Sequence, residues 1–204
     1  MFVVTTERIH VTTDGGRGDS VAVFIDLDTV LLDTHQGKYG PELTVQADLP
    51  VSLERLAEAA GRVVVVANPP PNDGGHVMDT DHRLEVLRSG LGDATDDLVI
   101  VRCSHGEDDH CDCAKPGNGL IEAAVAEHRL NRHGSWYVGG DQEGVVAGRS
   151  AGLHTIRIGP GGVGPGGAGP GGEDHLNAVH RADFLARDLM DAANRILMES
   201  LTAD

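Results

Sequence analysis

The sequence is poor in cysteine, in aromatic residues and in positive charge, and each shortage excludes a class of protein. Of 204 residues, 3 are cysteine and 3% are aromatic. The cysteines all lie between positions 103 and 113, a distribution that excludes a disulfide-rich secreted domain. Acidic residues outnumber basic ones by 32 to 16 and the basic residues form no cluster, so neither nucleic acid nor a membrane surface is an expected partner. No apolar run approaches the roughly 18 residues that cross a bilayer. We therefore expect one soluble, cytoplasmic domain with an aliphatic core.

Short apolar runs alternate with helix-like stretches between residues 21 and 158. Such runs are typical of strands that are buried on both faces of a sheet. Four of them are followed closely by a polar residue, namely Asp26, Asn68, Cys103 and Asp141. The alternation predicts an α/β fold, with a doubly wound, Rossmann-like parallel sheet covered by helices on both faces. Because ligands bind beyond the carboxyl ends of such strands, we expect these polar residues to meet at one edge.

Three further segments flank this domain. Residues 1–20 are interpreted as an N-terminal extension or an edge strand. Residues 159–173 repeat a Gly-Pro-Gly-Gly unit and are interpreted as a flexible tether. Residues 174–204 have apolar side chains near the helical period, which predicts an amphipathic C-terminal helix. That helix either covers its own domain or engages a protein partner or a second copy of the chain.

The cysteine cluster predicts a structural zinc site. Cys103 and His105 form one short claw and Cys111 and Cys113 form another, and thiolate and imidazole are the ligands that zinc prefers in a closed tetrahedron. Four protein ligands leave no open position for water, so the ion is expected to fix the loop 103–113 and not to activate a nucleophile. The zinc loop would then hold Lys115 in a defined place.

The segment from Cys103 to Pro116, with Gly119-Leu120 after it, resembles the zinc loop of certain haloacid dehalogenase-superfamily phosphatases. These are the D-glycero-D-manno-heptose 1,7-bisphosphate phosphatases and the related histidinol-phosphate phosphatases. The resemblance covers roughly residues 21–158. It implies a Rossmann-like domain with a small zinc-binding loop and no large cap domain. It also implies a magnesium-dependent mechanism through an aspartyl-phosphate intermediate.

The same resemblance assigns roles to individual residues. Asp26 would be the nucleophile, and Asp28 the acid that protonates the leaving alcohol and later activates water. Asn68 and Lys115 would bind the phosphate of a small phosphorylated metabolite, a sugar phosphate in particular. The catalytic Mg²⁺ would be held by Asp26 and Asp28, and Asp141, one place beyond the position that the family uses, is the candidate for a third ligand.

The fourth motif of the family departs from its usual pattern in this chain. Counted back from the Ala-Gly pair at 147–148, its two acidic positions fall on Gly140 and Gly144. A local bulge at the glycines could return a carboxylate to the metal, from Asp141 or from Glu143. The first two motifs differ as well, and so an alternative function stays open: a catalytically impaired binding or regulatory protein that keeps a structural zinc. A third hypothesis, in which the 11 histidines bind metal loosely, has no common spacing to support it.

Overall fold

A seven-stranded sheet forms the centre of the computed structural model, which describes residues 4–8, 20–34, 42–69, 79–92, 98–103, 105, 111–159 and 181–202. The strands are β1 (Val4–Arg8), β2 (Val23–Asp26), β5 (Val63–Ala67), β6 (Leu98–Cys103), β7 (Trp136–Gly139), β8 (His154–Ile158) and β9 (Phe184–Ala186), in the order β1-β6-β5-β2-β7-β8-β9. All neighbours pair in parallel except β1, which is antiparallel to β6. A two-stranded antiparallel hairpin, β3 (Leu31–Thr34) and β4 (Glu42–Val45), follows β2.

Helices cover both faces of this sheet. They are α1 (Leu27–Val30), α2 (Leu49–Ala60), α3 (Thr80–Leu91), α4 (Gly119–His128), α5 (Gln142–Ser150) and α6 (Leu189–Thr202). Helices α2, α3 and α6 share one hydrophobic core with the sheet, whereas α4 and α5 bury their apolar residues in a second core on the opposite face. The predicted doubly wound α/β fold is therefore confirmed.

Valine-rich strands make this architecture possible. Residues 63–66 are four consecutive valines, all buried, and β2 beside them is equally buried along its length. β-branched side chains suit a pleated strand with both faces covered. The central strands are thus fixed by sequence, and their carboxyl ends point to the same edge of the sheet.

The N-terminal end takes one of its two predicted forms, whereas the C-terminal end differs from its prediction. Residues 4–8 form an edge strand, one of the two forms expected for segment 1–20. The predicted tether lies almost wholly outside the described residues. The C-terminal segment is not one helix: β9 extends the sheet before α6 begins at Leu189. Asp183 accounts for the strand, because its carboxylate accepts hydrogen bonds from both the backbone nitrogen and the hydroxyl of Thr155 on β8.

Helix α6 packs on α2 within the first hydrophobic core. This contact agrees with the interpretation that the C-terminal helix covers its own domain. The described elements between β2 and β5 are α1, the β3–β4 hairpin and α2. Within the part of the chain that the structure describes, no helix is both long enough and apolar enough to span a bilayer.

Candidate active site

Three carboxylates and one ammonium group meet where the parallel strands end. Asp26 is the last residue of β2, and Asp141 follows β7 as the N-cap of α5, where its Oδ1 accepts a hydrogen bond of 2.6 Å from Gly144 N. Lys115 reaches this point from the loop before α4. Because β2 and β7 are neighbouring parallel strands, residues far apart in sequence converge here, as the polar strand ends predict.

The ammonium of Lys115 lies among the carboxylates. It forms an ion pair with Asp26 Oδ2, lies 2.6 Å from Asp141 Oδ2 and lies 3.9 Å from Asp28 Oδ2. Asp26 is only 1% exposed, while the side chains of Asp28 and Asp141 are about half exposed, at 50% and 45%. The cluster therefore opens to solvent on the side of Asp28 and Asp141, with Asp26 at its base.

Burial and charge act against each other in this cluster. Burial raises the pKa of Asp26, and the opposing charge of Lys115 does not fully offset it. Burial also favours a lower pKa for Lys115, but the charge of Asp26 and the hydrogen bond to Asp141 outweigh it, so that the pKa of Lys115 is raised. The pKa of Asp141 is lowered, since hydrogen bonds from Lys115 and Gly144 N overcome its own burial. Lys115 thus stays cationic and is shared between two carboxylates.

Asp141 reaches the cluster without a bulge in the strand. Strand β7 ends at Gly139, the chain bends at Gly140, and Asp141 caps the next helix. The cap geometry turns its carboxylate toward Lys115. Glu143, the alternative carboxylate, is exposed in the first turn of α5. Of these two candidates the structure brings Asp141 into the cluster.

Arg83 is a site residue that motif reasoning missed. It lies on α3, is 5% exposed and forms an ion pair with Asp28, the outer carboxylate of the cluster. Burial lowers the pKa of Arg83, against the charge of Asp26. The sequence contains a signal for it, because Arg83 precedes Leu87 and Leu91 at intervals of four residues and so shares their buried stripe. A charged residue on an apolar helical face marks a polar site.

Tyr137 is the second residue that sequence reasoning missed. It lies on β7, is 1% exposed, and its hydroxyl donates a hydrogen bond of 3.4 Å to Asp26 Oδ2. Burial raises the pKa of this phenol well above its usual value, and the charge of Asp26 adds to the effect. A Cβ at Gly144 would overlap the Tyr137 hydroxyl, so the phenol fills the space where a side chain at that position would begin.

Asn68 follows β5 and is buried, but its amide contacts protein. Its Nδ2 donates a hydrogen bond of 3.0 Å to the carbonyl oxygen of Cys113, and its own carbonyl accepts one of 3.4 Å from Arg83 Nη1. The residue therefore links the end of β5 to the cysteine loop on one side and to Arg83 on the other. Its described contacts hold the walls of the site in register.

The four predicted zinc ligands come together in the structure. The ligand atoms of Cys103, His105, Cys111 and Cys113 all lie within 4.8 Å of one another. Cys103 Sγ lies 3.4 Å from both His105 Nδ1 and Cys111 Sγ. A tetrahedron with Zn–S bonds of about 2.3 Å places its sulfur atoms about 3.8 Å apart, so the residues fit a zinc ion.

The pKa values of the three thiols determine how zinc binding depends on proton release. Burial raises the pKa of Cys103 to about 12 and also raises that of Cys113. The pKa of Cys111 is lowered despite burial, because it accepts hydrogen bonds from Cys103 and the backbone. Zinc binds thiolates, so zinc binding must release protons from Cys103 and Cys113.

The carboxylate cluster fits magnesium in the chemistry of its donors. Mg²⁺ prefers oxygen ligands, and Asp26, Asp28 and Asp141 offer carboxylates within reach of one ammonium group. The net charge of the cluster favours binding of a further cation. The three carboxylates face two cations, Lys115 and Arg83, which leaves one negative charge in excess. A phosphate dianion would add two more.

Comparison with known proteins identifies relatives of this chain, although no family model matches it. A D-glycero-beta-D-manno-heptose-1,7-bisphosphate 7-phosphatase from Pseudomonas putida is 32% identical over 115 residues, which cover 54% of this chain and 65% of the relative. One of the same description from Pseudomonas aeruginosa is 30% identical over 121 residues, covering 55% of this chain and 67% of the relative. The chain therefore spans about two thirds of the curated relatives that it matches.

A solved structure supports the fold. The D,D-heptose 1,7-bisphosphate phosphatase from B. bronchiseptica, crystallised with magnesium and phosphate, superposes with a TM-score of 0.61 at 20% sequence identity. The match covers 88% of this chain and 99% of that structure. Since the relative from Pseudomonas aeruginosa is 30% identical and is matched over 67% of its length, the chain belongs to the haloacid dehalogenase-superfamily phosphatases of the heptose-1,7-bisphosphate phosphatase type. Members of this family are phosphomonoester hydrolases.

Proposed function

We propose that this protein is a magnesium-dependent phosphatase that hydrolyses a small phosphorylated sugar through an aspartyl-phosphate intermediate. The observation that carries the proposal is the cluster of Asp26, Asp28 and Asp141 around Lys115 at the carboxyl ends of β2 and β7. Because the relatives are named as heptose-1,7-bisphosphate 7-phosphatases, a heptose bisphosphate is the first substrate to test. The reduced thiols of the zinc loop favour the cytoplasm as its compartment.

In the first half of the reaction, a carboxylate oxygen of Asp26 attacks phosphorus and the bond from phosphorus to the leaving oxygen breaks. Asp28, in its protonated form, gives its proton to that leaving oxygen, so the sugar departs as an alcohol. Lys115 neutralises charge on the phosphoryl group as it transfers. Tyr137 donates a hydrogen bond to Asp26 and keeps its carboxylate oriented.

In the second half, water attacks the phosphorus of the acyl phosphate and Asp28 removes a proton from it. The bond between phosphorus and Asp26 breaks, which releases inorganic phosphate and restores the carboxylate. Mg²⁺, which Asp26 and Asp141 would hold while the carboxyl of Asp28 stays free to exchange its proton, would supply positive charge that offsets the negative charge of the phosphoryl oxygens. Among the described residues the cluster is open to solvent on the side of Asp28 and Asp141, and a small substrate would enter from that side.

The test measures phosphate release from a heptose bisphosphate and from a generic phosphoester, with and without added magnesium. Wild-type protein should release phosphate only with magnesium, while Asp26→Asn should give the background rate. Equal release from the two proteins would refute the proposed activity.

A second candidate, a catalytically impaired binding or regulatory protein, has one observation in its favour. The Tyr137 phenol fills the space beside Gly144, a position counted for a magnesium carboxylate. This candidate requires phosphate binding without turnover in the assay above. It fails if the wild-type protein turns over a phosphorylated sugar.

A further inference from the structure

Arg83 has hydrogen-bonding capacity that the described part of the structure does not use. The side chain of Arg83 is 6% exposed, and its guanidinium faces the carboxylate cluster. Nη1 donates to the carbonyl of Asn68 at 3.4 Å, which is a long bond. Nη2 is buried, and its described partner is the half-exposed carboxylate of Asp28, with which it forms an ion pair. A buried and incompletely bonded guanidinium at a site edge indicates an anionic ligand.

We propose that Arg83 binds a non-bridging oxygen of the substrate phosphoryl group, and that Asp28 occupies the guanidinium in the free protein. The proposal rests on the function proposed above. A guanidinium presents parallel N–H donors that match the oxygens of phosphate as well as those of carboxylate. Asp28 is the group free to leave, since half of its side chain is exposed, whereas Arg83 is buried on α3.

The exchange gives each partner a task in the reaction. When the phosphoryl group takes over Arg83, the carboxylate of Asp28 loses its cationic partner, takes up a proton from solvent and can then deliver that proton to the leaving oxygen. Residue 67, at the end of the neighbouring strand β5, is alanine, so its side chain offers no donor to the phosphoryl group. Lys115 and Arg83 would then hold the phosphoryl group from two sides, with Asp26 beneath it.

The experiment titrates inorganic phosphate into the zinc-loaded chain of 204 residues by isothermal calorimetry, so that no turnover is required. Arg83→Gln should weaken phosphate binding by about ten- to a hundredfold, the range for one hydrogen bond to a charged group. Asp28→Asn should tighten it severalfold, because the internal competitor is gone. In the double variant that gain should vanish, since it acts through Arg83. Arg132→Gln, which breaks an ion pair with Glu122, is the matched control and should bind phosphate as wild type does.

Two results would overturn the proposal: an unchanged phosphate affinity in Arg83→Gln, or a gain from Asp28→Asn that is equally large with and without Arg83. If Arg83→Gln fails to fold, Arg83→Lys replaces it and must still bind phosphate severalfold more weakly, because lysine lacks the planar fork. Phosphate binding with the expected pattern but no release from any substrate would refute the phosphatase and keep the role of Arg83. Turnover with no effect of Arg83 on binding would do the opposite.

Discussion

Replacing Gly144 with alanine is expected to destabilise this protein, although the same change inside an ordinary helix is stabilising. Gly144 lies in the first turn of α5 and does not have a positive φ. Helix propensity alone would therefore favour alanine by about 1 kcal/mol. The opposing effect is steric, because a Cβ at this position would overlap the Tyr137 hydroxyl and lie 2.9 Å from Cζ of the ring.

The Tyr137 ring has little room to move away. Tyr137 is 1% exposed. A Cβ at Gly139 would lie 2.8 Å from an atom of Tyr137, and a Cβ at Gly148 would lie 2.6 Å from another. Overpacking of this kind costs about 1–3 kcal/mol, and displacing the hydroxyl from Asp26 costs roughly 1 kcal/mol more. After subtraction of the helix gain, Gly144→Ala should lose about 1–3 kcal/mol of unfolding free energy.

Urea unfolding followed by tryptophan fluorescence can measure this loss, because the chain has a single tryptophan, Trp136, and it is buried. Gly140→Ala is the matched control: its Cβ would meet no atom closer than 3.9 Å, so its stability should stay within about 0.5 kcal/mol of wild type. In a Tyr137→Leu background the cost of Gly144→Ala should largely disappear. A Gly144→Ala protein as stable as wild type, or more stable, would refute the close packing of Tyr137.

Three further predictions concern the charged groups and the zinc site. Asp26→Asn should stabilise the protein by about 0.5–2 kcal/mol at neutral pH. Burial raises the pKa of Asp26 in the folded protein above 3.8, so the free energy of unfolding of the wild type falls as pH rises through that raised pKa. Urea unfolding measured across pH should show this loss only in the wild type. Lys115→Met should lower kcat by about a hundredfold to a thousandfold and leave the zinc content unchanged. The phosphatase assay measures kcat and metal analysis measures the zinc content. A normal kcat would exclude Lys115 from charge stabilisation. Zinc affinity, measured by chelator competition, should rise with pH, because the raised pKa values of Cys103 and Cys113 keep both thiols protonated at neutral pH. A pH-independent affinity would contradict the assigned ligands.

The zinc ligands and the strand ends could be predicted because their signals are local. Cys103, His105, Cys111 and Cys113 occupy an eleven-residue window, so ligand type and spacing suffice without knowledge of the fold. Asp26 follows a strand with a buried run of its own, and the rule that parallel strands end at one edge brings it to its partners. In such cases one element and one general rule are enough.

Arg83 and Tyr137 could not be predicted by the same reasoning, because their roles depend on contacts between distant elements. Tyr137 and Asp26 are separated by 111 positions, and they meet only because β7 pairs with β2 in a particular register. The register aligns Tyr137 with Phe24, two residues before Asp26. From the sequence, a tyrosine in a buried strand is predicted to be a core residue. Only the order of the strands in the sheet shows that a carboxylate lies beside its hydroxyl.

The zinc loop and the carboxylate cluster are one mechanical unit, and this limits what any zinc-free form of the protein can do. Lys115 is two residues beyond Cys113, and the carbonyl of Cys113 is held by the buried amide of Asn68. The same short segment thus ends in a proposed zinc ligand on one side and in the shared cation of the cluster on the other. Without the proposed zinc ion, the raised pKa values of Cys103 and Cys113 keep these thiols protonated, and the four side chains would no longer fix the position of Lys115. Asp26, Asp28 and Asp141 would then repel one another without their common partner, so loss of zinc should disable the cluster although no zinc ligand belongs to it.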